Sequence, residues 1–201
     1  MQPHTFIFFG RSGSGKGTQA KRLTSFLNEK TPRKALYIET GQRFREFIEQ
    51  NNNFSSMLTR DVMENGGLMP EFLPIWIWTD FLVKNFTGEE HLVLDGLSRR
   101  IDEAPILENA LRFYRREHTF AVYLNVSREK AFAMLKGRGR EDDTDEYINN
   151  RLDWFENTVM PVVNHFKSRD GFQLLDVNGE QSIEKVHEDI LRASGLAQHI
   201  I

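Results

Sequence analysis

The stretch Gly10-Arg11-Ser12-Gly13-Ser14-Gly15-Lys16-Gly17-Thr18 constrains this chain more than any other. It follows an apolar run, Thr5 to Phe9. It leads into residues 19–28, where Ala20, Leu23, Phe26 and Leu27 fall on one helical stripe. Strand, glycine-rich loop, lysine and helix, in that order, form the setting in which backbone N–H groups converge on an anion. Glycines let successive N–H groups turn inward, and the helix start adds the positive end of its dipole. The spacing predicts a phosphate loop over Gly13, Ser14, Gly15, Lys16, Gly17 and Thr18, with the Lys16 ammonium on the outer phosphates. An ordinary glycine-rich turn is the alternative, and the flanking segments speak against it. The general pattern has Ser or Thr directly after the lysine; here Gly17 stands there and the hydroxyl follows at Thr18.

Further short apolar runs stand at Ala35–Glu39, His91–Asp95, Phe120–Val126 and Phe172–Asp176. Helical patterns separate them. One opens at Thr40-Gly41 and carries Arg43, Phe44, Arg45, Phe47 and Ile48; the next block has Met57, Leu58 and Val62 as its apolar positions. Gly66-Gly67 break that block, and Pro70 suits the first turn of a helix from about Glu71 to Lys84. Others fall near Glu103–Glu117, Arg128–Lys136, Thr144–Lys167 and Ser182–Ala193. Short buried strands alternating with helices predict an α/β fold: a five-stranded parallel sheet with helices on both faces. Its ligand crevice lies at the carboxyl ends of the strands, where Gly10, Thr40 and Asp95 all end or follow one. The helix about Glu71 to Lys84 is apolar nearly all round, which predicts a buried core helix; a self-association patch is the sharper reading.

The 201 residues suit one domain with a real core, and 39% hydrophobic with 27% charged residues are the proportions of a soluble globular protein. A net charge of −3 gives no general pull toward nucleic acid or anionic lipid, so any basic site is local. With no cysteine there is no disulfide and no cysteine zinc site, and the six histidines, lacking ligand spacing, read as surface or packing residues. No apolar run reaches membrane-spanning length, and the first residues lack a signal-peptide pattern. The expectation is a cytoplasmic, monomeric enzyme with neither nucleic acid nor membrane as partner.

Asp95 closes the run Leu92-Val93-Leu94 and brings a carboxylate to the crevice, where it would hold magnesium, usually through water. Capping the following turn is its alternative use. Gly15-Lys16-Gly17-Thr18-Gln19, Thr40-Gly41, Asp95-Gly96 with Arg99, and Gly139 to Asp143 with Arg151 occur in order over nearly the whole chain. Together they resemble adenylate kinase and its nucleoside monophosphate kinase relatives, and the glycine after the lysine is a mark of that family. The resemblance implies a phosphate-loop NTPase fold in one kinase domain over 1–201, with its core at 1–39, 86–136 and 152–201. A small helical insertion for the monophosphate falls at about 40–70 and a very short lid at about 137–143. The implied reaction moves the γ-phosphoryl of MgATP to AMP, giving two ADP. Magnesium is the expected cofactor and zinc is not, because the chain has no cysteine and so short a lid cannot hold it.

On this resemblance Gly13 to Thr18 cradle the donor phosphates, and Gln181 lies near the loop that touches the donor base. Thr40 and Arg45 face the acceptor, Arg45 on its α-phosphate. Gly67, Leu68 and Met69 meet the acceptor base through their backbone. Gly96 and Arg99 hold the acceptor phosphate, and Glu103 stands where adenylate kinases carry a glutamine that reads adenine. Lys16, Arg99, Arg138, Arg140 and Arg151 are the catalytic cations, the last three on the lid side of the transferring group. A solvated charged turn is the other reading of Arg138 and Arg140, and a helix surface with acidic neighbours that of Arg45 and Arg151. Gln42 departs from the family's aspartate after Thr-Gly, and Met134 falls where many members stack an arginine on the donor adenine.

Elementary chemistry agrees. Two bound nucleotides bring on the order of six negative charges together, and phosphoryl transfer is mostly positioning and charge neutralisation. Lys16 and five arginines would supply that on an otherwise slightly acidic chain. A monophosphate oxygen is largely ionised at neutral pH, so no general base is needed. A kinase for a small metabolite's hydroxyl would need a carboxylate to take the proton, and a nucleotide-binding switch has no use for so many transfer-site arginines. A kinase for GMP or a pyrimidine monophosphate is the nearer alternative.

Overall fold

In the computed structural model, which describes residues 2–116, 118–139 and 144–199, the central strand is β1 (Thr5–Gly10), buried along its whole length. β2 (Ala35–Glu39), β3 (His91–Asp95), β4 (Thr119–Asn125) and β5 (Phe172–Asn178) join it in one parallel sheet of order β2-β3-β1-β4-β5. The chain steps outward from β1 to β2, fills β3 between them, then crosses to β4 on the far side. That reversal beside β1 is the place where such sheets open a ligand crevice. Register sets what meets there: Phe8 lies beside Asp95, and Glu39 beside Asp95.

Side chains alternate across the sheet and are apolar on both faces, as a strand covered on both sides requires. Phe6 and Phe8 pack with Ala20, Leu23 and Leu27 of α1 (Lys16–Lys30) and with Val186 and Ile190 of α9 (Ile183–Ala193). Ile7 and Phe9 face the opposite layer. That layer is built from Trp78 and Leu82 of α4 (Phe72–Asn85), Leu107 and Leu111 of α5 (Ala104–Phe113), and Val162 and Phe166 of α8 (Met160–Lys167). A small separate cluster joins Phe44 of α2 (Thr40–Gln50), Val62 and Met63 of α3 (Phe54–Glu64), Met69, and Leu73 and Ile77. Asn53 starts α3 with a reciprocal cap: its side chain accepts from the Ser56 N–H at 2.9 Å, and the Ser56 hydroxyl accepts from the Asn53 N–H at 3.0 Å. α6 (Arg128–Arg138) and α7 (Asp145–Trp154) complete the helices.

Several expectations need correction. Met57 and Leu58 are exposed, and α3 buries Ser56 and Thr59 instead. Pro70 precedes α4 and it is Pro74 that sits in the first turn, where a missing N–H costs nothing. α4 buries Leu73, Ile77, Trp78 and Leu82 but leaves Phe72, Trp76 and Val83 exposed, because only two of its flanks meet apolar clusters. The stretch from Thr144 to Lys167 is broken by a π-helical turn, Phe155–Val159, just before Pro161, which has no N–H to bond back with. α5 stops at Phe113 and Arg115 takes a left-handed backbone, φ +57°. His91 is a packing residue: fully buried, it accepts the His4 N–H at 2.9 Å, and burial first, then His4, pulls its pKa down to about 4. No helix among the described residues is long and apolar enough to cross a membrane.

Phe166 is fully buried, with ring centroids 5.7 Å from Phe9 and 4.6 Å from Phe172. Truncating it leaves a cavity between α8 and the sheet. Phe166→Ala should therefore cost about 3–5 kcal/mol, read as a lower urea midpoint at unchanged slope. A loss below about 1 kcal/mol would mean this layer collapses to fill the gap.

Candidate active site

A cleft of about 530 Å³ opens over the carboxyl ends of β1, β2 and β3. Its floor is the loop after β1. Gly13 has φ +83°, and a Cβ there would lie 2.6 Å from the Ala131 carbonyl oxygen, so only glycine fits between the loop and α6. α1 begins at Lys16 with no side-chain cap on Gly15 and no acidic residue in its first turn, leaving its end electropositive. Lys16 Nζ donates to the carbonyls of Gly10 and Arg11, both at 2.8 Å. Burial lowers its pKa to about 8, with Asp95 opposing that shift and Arg99 and Arg138 adding to it.

Asp95 is 6% exposed. Burial raises its pKa, Lys16 opposes, and Glu39 raises it further. The Tyr37 hydroxyl bridges the two carboxylates, 3.2 Å from Glu39 Oε2 and 3.4 Å from Asp95 Oδ2. Glu39 also holds Arg45 Nη2 at 3.1 Å and Lys21 Nζ at 3.8 Å. The Thr40 hydroxyl donates to the Asp95 carbonyl at 3.4 Å. After β3 the chain turns through Gly96 at φ +77°, where a Cβ would strike Arg99 Nη2 at 2.8 Å. Arg99 Nε donates to the Gly96 carbonyl at 3.2 Å, and the Arg99 N–H to Glu103 Oε2 at 3.0 Å. Burial lowers the Arg99 pKa and raises that of Glu103, which the Arg99 N–H partly opposes. The Arg99 guanidinium lies 5.7 Å from the Trp154 ring centroid, and Trp154 Nε1 donates across the cleft to the Gly66 carbonyl at 3.3 Å.

Nearly every residue singled out from the sequence borders this one cleft. Gly13, Gly15, Lys16, Gly17 and Thr18 line it, as do Thr40, Arg45, Gly67, Leu68 and Met69, Asp95, Gly96, Arg99 and Glu103, and Met134, Arg138 and Arg151. Ser14 does not: it is buried beneath the loop with its hydroxyl unpartnered. Gln181 stands apart, its amide nitrogen donating to the Asn178 carbonyl at 3.0 Å and to Asp189 at 2.9 Å. Arg140 lies outside the described residues. Lys21, Glu39 and Trp154 also line the cleft and were not read from the sequence. Glu39 was findable, since it ends a strand with a carboxylate as Asp95 does; nothing local marks Trp154.

A parallel sheet with a glycine loop and lysine at its switch point defines a phosphate-loop NTPase fold. A family model described as adenylate kinase matches residues 8–171. The chain is 31% identical over 191 residues to an adenylate kinase of Prochlorococcus marinus (strain AS9601), covering 94% of this chain and 97% of that one. It is 31% identical over 189 residues to the adenylate kinase of Mycobacterium bovis (strain BCG / Pasteur 1173P2), with 94% and 98% covered. With that of Oenococcus oeni (strain ATCC BAA-331 / PSU-1) it shares 30% over 181 residues, with 88% and 91% covered. The chain belongs to the adenylate kinase family, and so to the ATP-dependent nucleoside monophosphate kinases.

Because Lys16 sits near pKa 8 rather than 10.5, the folded protein binds fewer protons than the unfolded chain between those values. Stability from this group therefore rises with pH across that window. A polyphosphate over Lys16 restores the charged form. Binding of metal-free nucleotide between pH 8 and 10 should thus take up as much as one proton, seen calorimetrically as a heat that depends on the buffer's ionisation enthalpy. Lys16→Met should abolish the dependence; its absence in the unaltered protein would contradict the assignment.

Proposed function

We propose that the chain transfers the γ-phosphoryl group of MgATP to AMP, giving two ADP. The observation that carries this is the convergence of Lys16, Arg45, Arg99, Arg138 and Arg151 on one cleft with the phosphate loop and Asp95. The relatives' shared name supports AMP as acceptor. In this reading the loop N–H groups from Gly13 to Thr18 orient the donor phosphates, and Lys16 meets the charge that develops during transfer. Arg45 leaves Glu39 for the acceptor phosphate. Arg99 holds that phosphate from the other side, and Arg138, Arg140 and Arg151 neutralise the group in flight. Gln181 keeps its proposed place near the donor base only as part of the loop after β5. The proposed insertion for the monophosphate is at about 40–70 and the proposed lid at about 137–143, of which 140–143 lie outside the described residues.

Magnesium fits the residues present. Among those described no three His, Asp or Glu side chains gather as a ligand set. At the phosphate-loop end the cleft instead offers the buried carboxylate of Asp95 and the Thr18 hydroxyl, next to where the loop would hold phosphates. A hard cation that keeps several waters and leans on phosphate oxygens suits that set. When bound it would supply positive charge against the donor phosphates. In this reading the short lid carries no zinc, since the chain has no cysteine to build a thiolate site there.

Lys16→Ala should fold and lose at least ~10²-fold in turnover, mainly in kcat, as when one preorganised donor is removed. Activity within threefold of the parent in a coupled assay of ADP formation would sink the assignment.

Base choice turns on Glu103. An ionised carboxylate only accepts, so it faces the adenine N1 lone pair with a repulsive contact and suits the two donors of guanine better. Thr40, which matches adenine-selecting members, and the Gly67–Met69 backbone favour adenine. Burial adds to that side: it raises the Glu103 pKa, and a neutral carboxyl donates as well as accepts, like the family's glutamine. AMP should therefore be the best of AMP, GMP, CMP and UMP by kcat/KM. Its KM should rise with pH above the ordinary glutamate range, as the donor proton is lost. Glu103→Gln should lower that KM a few-fold and flatten the pH dependence, in line with about 1 kcal/mol for one repaired hydrogen bond. A GMP preference that the substitution abolishes would show that Glu103 selects guanine.

A further inference from the structure

Lys16 and Arg99 donate to loop carbonyls, which an incoming anion displaces without leaving a full charge behind. Arg45 differs. Its Nη2 pairs with Glu39 Oε1 at 3.1 Å, so a ligand that takes this nitrogen leaves a carboxylate in the cleft. Glu39 ends β2, and it lines the cleft together with Arg45 of α2 and Lys21 of α1.

The second oxygen of Glu39 has partners of its own. Oε2 accepts from the Tyr37 hydroxyl at 3.2 Å and lies 3.8 Å from Lys21 Nζ. That hydroxyl also stands 3.4 Å from Asp95 Oδ2, and its single proton serves one carboxylate at a time. The Glu39 carboxylate is therefore held from two sides, by Arg45 on one oxygen and by Lys21 and Tyr37 on the other. Giving up Arg45 leaves it with a cation and a hydroxyl donor, and not bare beside a bound phosphate. Carboxylate and phosphate oxygens offer a guanidinium the same kind of charged acceptor, so they compete for it.

We propose that Glu39 is the resident occupant of the acceptor-phosphate seat on Arg45, and that Lys21 is the partner that keeps it when the acceptor takes that seat. Glu39 is then a positioning residue that sets acceptor affinity. It keeps Arg45 placed in the empty cleft, and it weakens the acceptor by the strength of the pair given up. This rests on the reading of Arg45 as a ligand of the acceptor phosphate, and adds the group which that phosphate displaces. The effect belongs to the phosphate alone and spares the nucleoside.

The test is calorimetric titration of AMP and of adenosine, at 0.15 M salt so that distant charges are screened. Proteins to compare are the parent, Glu39→Gln, Lys21→Met and the double variant. Glutamine keeps the shape of Glu39 and still accepts from Arg45 and Tyr37, so Glu39→Gln should fold as the parent does. It should bind AMP ~2- to 5-fold more tightly, the range of a half-exposed ion pair, and adenosine unchanged. Lys21→Met, which leaves Glu39 to Arg45, should weaken AMP by a similar factor. In the double variant the Lys21 effect should vanish, because Lys21 acts through the Glu39 charge. Unchanged or weaker AMP binding by Glu39→Gln overturns the proposal, as does an equal gain for adenosine. A Lys21→Met loss that persists in the double variant overturns it too, since Lys21 then meets the ligand directly. The coupled assay of ADP formation keeps the two readings apart. An unaltered AMP affinity in Glu39→Gln with AMP turnover intact removes this inference alone, whereas AMP that binds neither the parent nor Glu39→Gln removes both.

Discussion

A partly buried lysine at the start of α1 and a buried aspartate at the end of β3, close enough for their charges to attract, hold the design together. Lys16 follows β1 and Asp95 ends β3, so they meet only because β3 is inserted beside β1. Each opposes the shift that burial imposes on the other. Taking either charge out of water alone would cost several kcal/mol, so the sheet order, the glycine turn at Gly13 and the short connection into α1 are constrained together. The two layers of side chains around Phe6 to Phe9 make that arrangement rigid: β1 cannot slip by a residue without turning Ile7 and Phe9 into the wrong layer.

The cations of the cleft already have partners supplied by the chain itself. Lys16 bonds two loop carbonyls, Arg45 leans on Glu39, and Arg99 on the Gly96 carbonyl. A phosphate that enters exchanges these partners and does not have to assemble charge from solvent. Such preorganisation is where electrostatic catalysis draws its strength, since the dipoles need not reorient as charge develops. Glu39 matters doubly in this scheme. It keeps Arg45 and Lys21 poised, and as the register partner of Asp95 it raises the cost of ionising that carboxylate, which a divalent cation would relieve.

Much of this was legible in the residues. All five strands stand where short apolar runs end in glycine, carboxylate or asparagine; β1, β3 and β4 read so because they are covered on both faces, while the edge strands β2 and β5 are only partly buried. The loop glycines, Thr40 and Asp95 could be placed on the crevice from strand ends alone. What could not be read depends on partners distant in sequence. α4 looks buried on every side, yet how much of Phe72, Trp76 and Val83 is covered is decided by which neighbours exist. Trp154 is one more apolar helical residue until the fold brings it over Arg99. Gln181 sits in a loop near the crevice by order, but its side chain is claimed by Asn178 and Asp189. Local chemistry identifies the groups, and tertiary competition decides where they point.

The roof of the cleft follows from the same competition. Trp154 bonds the Gly66 carbonyl at 3.3 Å and the Tyr147 hydroxyl meets Asn65 at 3.4 Å, so α7 is tied to the α3–α4 turn by two long neutral contacts. Bonds of that kind contribute about 1 kcal/mol each or less. A roof held so lightly opens at little cost, and closing it over a bound anion gains little from the ties themselves. The larger gain lies beneath, where Arg99 and Arg151 stand close enough for their charges to repel. An anion between them would offset that repulsion. In the proposed reaction it is the charge of what is bound, more than these ties, that would favour a closed cleft, with the Arg99 guanidinium 5.7 Å from the Trp154 ring centroid at its wall.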